Sequence, residues 1–399
     1  MQNNLLNNIF RYGILLLSVA SIVNTLSFPL APYAFWIAFK AVMIWVMFRL
    51  WDKLYHPRLI MIWMVLVGVS CMVGVKYCRD YWDWKNYIGN VINYSICITA
   101  MVACVPELMQ DILHFLYKHI WKLFIVLALF LSSDGMSKFF IPFSFLALFY
   151  PLLNSKYRKY VWIALGITIV LGYAGRSVIL RFLFCMAIGL FSLHFDTEKY
   201  ARRLYWLFFV LPFVFFVLAA NGTFNIFQIG EGLYSDEEEA GRVSTSDTRT
   251  GLYEEVIATS LERGTVLFGN TPARGYYSEW LTQMGDESDL MGDIHYGERG
   301  NTETSVLNVF MHFGIFGMII YLLLFWHASY LAIFKSNNKY MAVIGLFVAF
   351  RYMMGWMEDF TNFDLNMFIL WMLIGMCNSP YFRAMTDDDF IAWFEGILA

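Results

Sequence analysis

The chain has 399 residues, of which 59% are hydrophobic, 19% aromatic and 15% charged, against about 25% charged for an ordinary soluble domain. With a mean hydropathy of +0.55 and a net charge of −3, it excludes a soluble enzyme, a disordered chain and, lacking a basic footprint, a nucleic-acid binder. The apolar runs place most of the chain in lipid.

A membrane-crossing helix needs about 20 mostly apolar residues, and about twelve runs meet that template. In chain order they cover residues 9–28, 31–50, 59–75, 87–105, 120–133, 139–153, 160–172, 177–195, 204–220, 304–325, 340–357 and 363–377. Very tight turns are expected around Ser132–Ser137 and Gly172–Arg176. The opening MQNNLLNNIF lacks a charged stretch followed by a cleavage site, so the first run reads as a retained span rather than a signal peptide. Cys71, Cys78, Cys97, Cys104, Cys185 and Cys377 all fall in or beside apolar runs without C-x-x-C spacing. They read as small buried residues, not as a metal or disulfide framework.

Orientation follows from the basic residues. With the N-terminus in the cytoplasm, the inner loops hold thirteen lysines and arginines: Arg49, Lys53, Arg58, Lys118, Lys122, Lys156, Arg158, Lys159, Lys199, Arg202, Arg203, Lys335 and Lys339. The short outer loops hold five: Lys76, Arg79, Lys85, Lys138 and Arg176. The positive-inside rule then places both termini in the cytoplasm. Tyr77, Tyr81, Trp82 and Trp84, and Tyr157, Tyr160 and Trp162, cluster at span ends as interfacial belts do.

Three regions result: transmembrane helices over 1–220, an extracytoplasmic loop over 221–302, and helices with a cytoplasmic tail over 303–399. The loop carries fifteen Asp or Glu and five arginines, with no lysine or cysteine. A loop of that length is functional or disordered. Asp236–Glu239 reads better as a solvated charge run than as a metal site. Thr245 or Ser246 caps an expected helix through Asp247, Arg249, Leu252, Val256 and Leu261, which Gly264 ends. VLFGNTPARGYY follows as an apolar run into a Gly/Pro turn.

Ionisable groups within a bilayer are costly, about 2.5 kcal/mol or more for a central arginine. Arg176 and Arg181 in GYAGRSVILRFLF, and Arg351 in MAVIGLFVAFRYMMGWM, therefore require an explanation. Glu358 and Asp359 follow Arg351 at the outer end of its span. Each arginine either binds substrate or snorkels or forms an internal ion pair; Lys40 reads as structural. Arg249, in the first turn of the loop helix, combines a guanidinium with the free N–H groups of a helix start, an arrangement suited to phosphate. The alternative is a surface pair with Asp247 or Glu255. Glu303 stands where the loop re-enters the membrane, ahead of Thr304-Ser305-Val306-Leu307 and Gly314-Ile315-Phe316-Gly317. It is either a carboxylate favoured by the helix dipole or a general base whose pKa partial desolvation would raise.

These motifs together resemble the O-antigen polymerase and O-antigen ligase superfamily of bacterial membrane glycosyltransferases. GYAGRS is similar to the family's turn with a flanked arginine and maps to Arg176. SDTRTGLYEEVI with LFGN is similar to its Arg-led loop helix and Gly-rich turn, and maps to Arg249 and Gly269. The family's H-N-x-x-L, six residues, then G-x-x-G keeps its spacing at Leu307, Gly314 and Gly317, but Glu303 and Thr304 stand in place of His-Asn, a departure that favours a polymerase over a ligase. The motifs cover about residues 160–320, and the span layout the whole chain.

The resemblance implies an all-α integral membrane fold of the GT-C-like kind, in the bacterial inner membrane, without cofactor or metal. It implies a polymerase of O-antigen, exopolysaccharide or capsule that moves a growing glycan from undecaprenyl diphosphate onto a lipid-linked repeat unit at the outer face. Its partners would be the lipid-linked oligosaccharide, the bilayer, and chain-length regulator and flippase proteins. Arg176 and Arg249 would hold the diphosphate, and Glu303 would be the base. Arg274, Arg351 and Arg181 are further substrate-binding candidates. Tyr276, Tyr277 and Trp280 would stack on sugars or pack the loop. A ligase to another acceptor is the nearer rival. A transporter or flippase is the more distant one, and predicts inverted repeats, interrupted spans and a polar midplane site.

Overall fold

In a computed structural model, the structure describes residues 2–23, 33–128, 140–171, 176–194, 196–223, 248–278 and 294–399. The tight turns expected around Ser132–Ser137 and after Gly172, the acidic run Asp236–Glu239, and Trp280 lie outside the described residues.

The chain is mostly helical. Its first part runs through α1 (Gln2–Val23), α2 (Tyr33–Arg49), α3 (Arg58–Gly74), α4 (Tyr81–Tyr94), α5 (Thr99–Ala103), α6 (Pro106–Ala128), α7 (Ile141–Leu148), α8 (Ser155–Leu171), α9 (Arg176–His194) and α10 (Thr197–Ala220). The loop region contributes α11 (Thr248–Glu262) and strands β1 (Tyr276–Tyr277), β2 (Ile294–His295) and β3 (Glu298–Arg299). Then come α12 (Ser305–Phe334), α13 (Lys339–Met354), α14 (Leu365–Asn378), α15 (Pro380–Ala384) and α16 (Asp387–Leu398).

Helix starts follow local capping chemistry, in which a side-chain oxygen accepts from an otherwise unpaired N–H. Asp80 caps α4, Asp196 caps α10, Asn338 caps α13 and Asp364 caps α14. Thr386 and Asp389 form a reciprocal capping box at α16. α13 lies at the centre, buried at every position except Lys339 and Met353. It packs against α10, α12 and α14, with Phe350 stacked on Phe184 of α9 at 3.7 Å and Tyr352 on Phe209 of α10 at 5.1 Å. α3 packs on α12 through Trp63, which meets Phe313 and Tyr321.

The outer faces differ. α3 exposes Ile62, Val65, Val69 and Met72, and α10 exposes Trp206, Val210, Val214 and Val217. Continuous apolar rows of this kind are poorly tolerated in water and suit lipid. Among the described residues, three helical segments are long and apolar enough to cross a membrane: Arg58–Tyr77, Thr197–Ala220 and Ser305–Phe334. A fourth is added if Tyr81–Ala103 and Pro106–His119, which meet at 112°, count as one broken span. The structure therefore supports an all-helical membrane architecture at this coarser level. Val178–Leu193 and Leu365–Asn378 are apolar but shorter.

The mostly helical fold also carries a small antiparallel sheet of β1, β3 and β2 in the loop, with Tyr276 opposite Arg299 and Tyr277 opposite Glu298. Two-residue strands are too short to leave a period-2 pattern. α6 begins at Pro106, not near residue 120, because its first half is amphipathic and escapes a hydropathy template. α16 was likewise missed. It covers the start of α6, where Gln110 donates to the Trp393 carbonyl at 2.7 Å and the Trp393 indole donates to the Pro106 carbonyl at 3.0 Å.

Candidate functional site

The loop is joined to the membrane helices by a backbone-on-backbone contact. α11 ends as the sequence indicates: Gly264 takes φ = 65°, and the Gly264 and Thr265 amides close back on the Leu261 and Ser260 carbonyls. The chain then runs along α12 where that helix breaks at Gly314 (φ 65°, ψ −162°), a conformation essentially restricted to glycine. The break frees backbone groups, and the loop satisfies them. Ile315 and Phe316 amides donate to the Val266 and Leu267 carbonyls at 2.9 and 3.2 Å, and the Asn270 amide donates to the Met311 carbonyl at 2.6 Å. A Cβ at Gly314 would lie 2.3 Å from the Leu267 carbonyl carbon, and one at Gly269 would lie 2.4 Å from that of His312. The two motif glycines are thus the two halves of one joint.

A buried polar centre lies at the end of α13. Arg351, in the last turn of α13, is 0% exposed, and Arg181 of α9 is 3% exposed. The Arg351 guanidinium carbon sits 3.6 Å from the Phe360 ring centroid, a cation–π contact, and its Nη1 is 3.6 Å from Glu358 Oε2. Among the described residues, no guanidinium nitrogen of Arg351 makes a hydrogen bond, nor do Arg181 Nε and Nη2. Arg181 Nη1 donates to Asn366 Oδ1 at 2.9 Å. Arg249, in the first turn of α11, adds its charge to those of Arg351 and Arg181 at Glu358. Its neighbour Tyr253 donates to the Trp356 carbonyl at 2.8 Å, pinning α11 over the end of α13. Burial raises the Glu358 carboxyl above its ordinary range, with the three arginines opposing. Asp364 also acts on Arg181.

Glu358 and Asp359 are adjacent but differ in kind. Asp359 accepts from Asn308 Nδ2 (3.1 Å), the Thr361 amide (2.8 Å) and hydroxyl (2.6 Å), and Asn362 Nδ2 (2.9 Å). It is a saturated structural carboxylate. Glu358 Oε1 is buried without a hydrogen-bond partner among the described residues, while its backbone carbonyl accepts from the Ser305 amide and hydroxyl at 2.9 and 3.0 Å. Buried polar atoms are normally paired, and exceptions point to function.

The structure distributes the remaining candidates unevenly. Glu303 is not desolvated as expected: its side chain is 57% exposed, four residues after Arg299, whose Nη2 is 3.6 Å away. A position at the head of a span does not determine which way the side chain faces, and the more enclosed carboxylates at this end are Glu358 and Asp359. Arg274 belongs to a separate cluster, where it grips Glu298 with two nitrogens. Arg263 and Arg79 approach the same carboxylate at 3.1 and 3.7 Å. Tyr276 is fully buried among Leu252, Val256, Leu307, Phe310 and Met311, so it packs the loop rather than presenting a sugar platform. Tyr277 is half-exposed, with the Arg263 guanidinium 4.2 Å from its ring centroid. Arg176 opens α9, five residues before Arg181; its side chain lies outside the described residues. Sequence reading missed His312, fully buried with Nδ1 2.8 Å from the Tyr94 hydroxyl. No local signal marks it within an apolar helix.

Among the described residues, no group of three or more His, Cys, Asp or Glu is placed to hold a metal ion, and the six cysteines are free thiols. A scan of protein-family models, a search of curated proteins and a search of solved structures each return no match.

Proposed function

We propose that the chain is a metal-independent membrane glycosyltransferase of about twelve spans that polymerises lipid-linked polysaccharide repeat units at the face carrying the long loop. That face is the outer side of a bacterial inner membrane, with both termini in the cytoplasm. The observation that carries this reading is the Arg351 guanidinium, fully buried and without a hydrogen bond among the described residues, beside Arg181 and facing Glu358. A cationic excess held out of water, with unsatisfied planar donors, suits a diphosphate. The same groups would neutralise charge developing on a diphosphate leaving group without a metal.

In this reading Arg351, Arg181, Arg249 and Arg176 hold the diphosphate. An acceptor hydroxyl oxygen bonds to the anomeric carbon while the carbon–oxygen bond to the diphosphate breaks, and undecaprenyl diphosphate leaves. The hydroxyl proton passes to a carboxylate. We assign that role to Glu358, and place Glu303 and Arg299 at the cleft entrance, where they meet the acceptor.

The test uses full-length protein in proteoliposomes supplied only with lipid-linked single repeats. A ladder of products is expected from the native protein, and none from Arg249→Ala or Arg351→Gln at equal membrane levels. A product on a different acceptor, with no ladder, would make the chain a ligase. Transport has two observations in its favour, the break in α12 at Gly314 and the 112° bend between α5 and α6. Against it, the backbone groups freed at Gly314 are taken up by the loop, and Arg351 lies in the last turn of its helix. Substrate crossing the bilayer without new glycosidic bonds would establish transport.

A further inference from the structure

A second polar feature lies apart from the Arg351 centre. α3 and the loop turn 265–274 enclose a groove of about 680 Å³. One wall is apolar: Val69 and Val73 of α3, both substantially exposed, and Phe268, 68% exposed. The other wall carries Arg263, Arg274 and Thr271.

Three observations give the polar wall a ligand preference. Arg263 and Arg274, which line the groove, share the single carboxylate of Glu298, so the lining itself carries two cations on one carboxylate. Thr271 takes φ = 63°, a left-handed conformation in which a β-branched residue is strained. Its Oγ1 is buried and has no hydrogen-bond partner among the described residues. Strain and an unpaired hydroxyl therefore coincide at one residue of the wall, beside a net positive charge.

The apolar wall decides the kind of occupant. α3 belongs to a segment long and apolar enough to cross a membrane, and Val69 and Val73 lie on its lipid-suited face. A free anion would gain nothing from that wall, and a neutral lipid would gain nothing from the arginines. We propose that this groove seats the phosphate-bearing headgroup of an anionic lipid, with the headgroup on Arg263, Arg274 and the Thr271 hydroxyl and the chain along Val69 and Val73. The proposal does not rest on the polymerase reading, and its test involves no glycan.

Full-length protein would be placed in nanodiscs of phosphatidylcholine and phosphatidylglycerol, extracted, and its retained lipids counted by native mass spectrometry. Phosphatidylglycerol should be retained over phosphatidylcholine by about fivefold or more. Val73→Trp and Val69→Trp, which fill the apolar wall without touching the arginines, should each lower that retention to the phosphatidylcholine level. Thr271→Val should lower it as well. Each variant is scored as protein that elutes as the native species in size exclusion. Equal retention of the two lipids would overturn the proposal, as would full retention in both tryptophan variants. Complete displacement of phosphatidylglycerol by millimolar inorganic phosphate would also overturn it, marking a site for a free anion.

Discussion

At the scale of single residues, the informative contrast is between charges that are satisfied and charges that are not. Asp359 is saturated by neighbours and reads as structure. Arg351, fully buried, and Glu358, through its buried Oε1, leave hydrogen-bonding capacity unused among the described residues. A buried ion whose partner stays compensated is often replaceable by an apolar residue without loss of stability. Arg351→Met should therefore leave thermal stability unchanged or slightly raised, because Arg181 and Arg249 still face Glu358. It should lower polymerisation by about 10²-fold or more, as expected for loss of a preorganised donor. A large drop in Tm would instead make Arg351 a structural ion. The carboxylates separate in the same way. Glu358→Gln should abolish the ladder, whereas Glu303→Gln, at an exposed position, should leave measurable polymer; the reverse would return the base to Glu303. With Glu358 as base, the rate falls as pH drops through a pKa raised by burial. The acid limb of the pH–rate profile should then lie above about 4.3, the ordinary glutamate value. A limb at or below the ordinary value would remove Glu358 from that role.

At the scale of elements, the joint between the loop and α12 is what brings α11, and with it Arg249, over the end of α13. Gly314→Ala would force a side chain to within 2.3 Å of the Leu267 backbone at positive φ. The cost should be about 3 kcal/mol or more from overpacking and strain together. Gly269→Ala should behave alike. Gly68→Ala and Gly166→Ala, where nothing lies within 4 Å of the added carbon, should be neutral or stabilising by up to about 1 kcal/mol. Thermal unfolding in detergent compares all four, and equal effects would refute the joint. The sequence showed these glycines only as a spacing, since their reason is a contact between segments about 45 residues apart, at 266–270 and 311–316. It did show the loop helix with Arg249 in its first turn and Gly264 at its end, because caps and stops are local chemistry. The pairing of Arg351 with Glu358 was suggested by adjacency, but its junction with Arg181 and Arg249 needed three helices in place. The Glu298 cluster was invisible for the same reason: its arginines come from positions 79, 263 and 274.

At the scale of the molecule, hydropathy identified α3, α10 and α12, which are long and apolar enough to cross a membrane, because their composition is uniform. It served less well where a crossing is divided, as in α4 to α6, or where a short helix such as α14 is enclosed by others. Orientation is a global property, and the charge count of thirteen against five makes it testable. The loop emerges after α10, where Thr223 is exposed, and Asn337, also exposed, follows α12 at the opposite end. In a background with the six cysteines replaced, a membrane-impermeant thiol reagent added to intact spheroplasts should label Thr223→Cys and leave Asn337→Cys unlabelled until the membrane is opened. Labelling of Asn337→Cys alone would invert the molecule and place the Arg351 centre on the cytoplasmic side. A lipid-linked substrate presented at the outer face would then be out of reach. Polymerisation there would be excluded whatever the chemistry of the arginines, so the orientation measurement bears on function as directly as any substitution within the site.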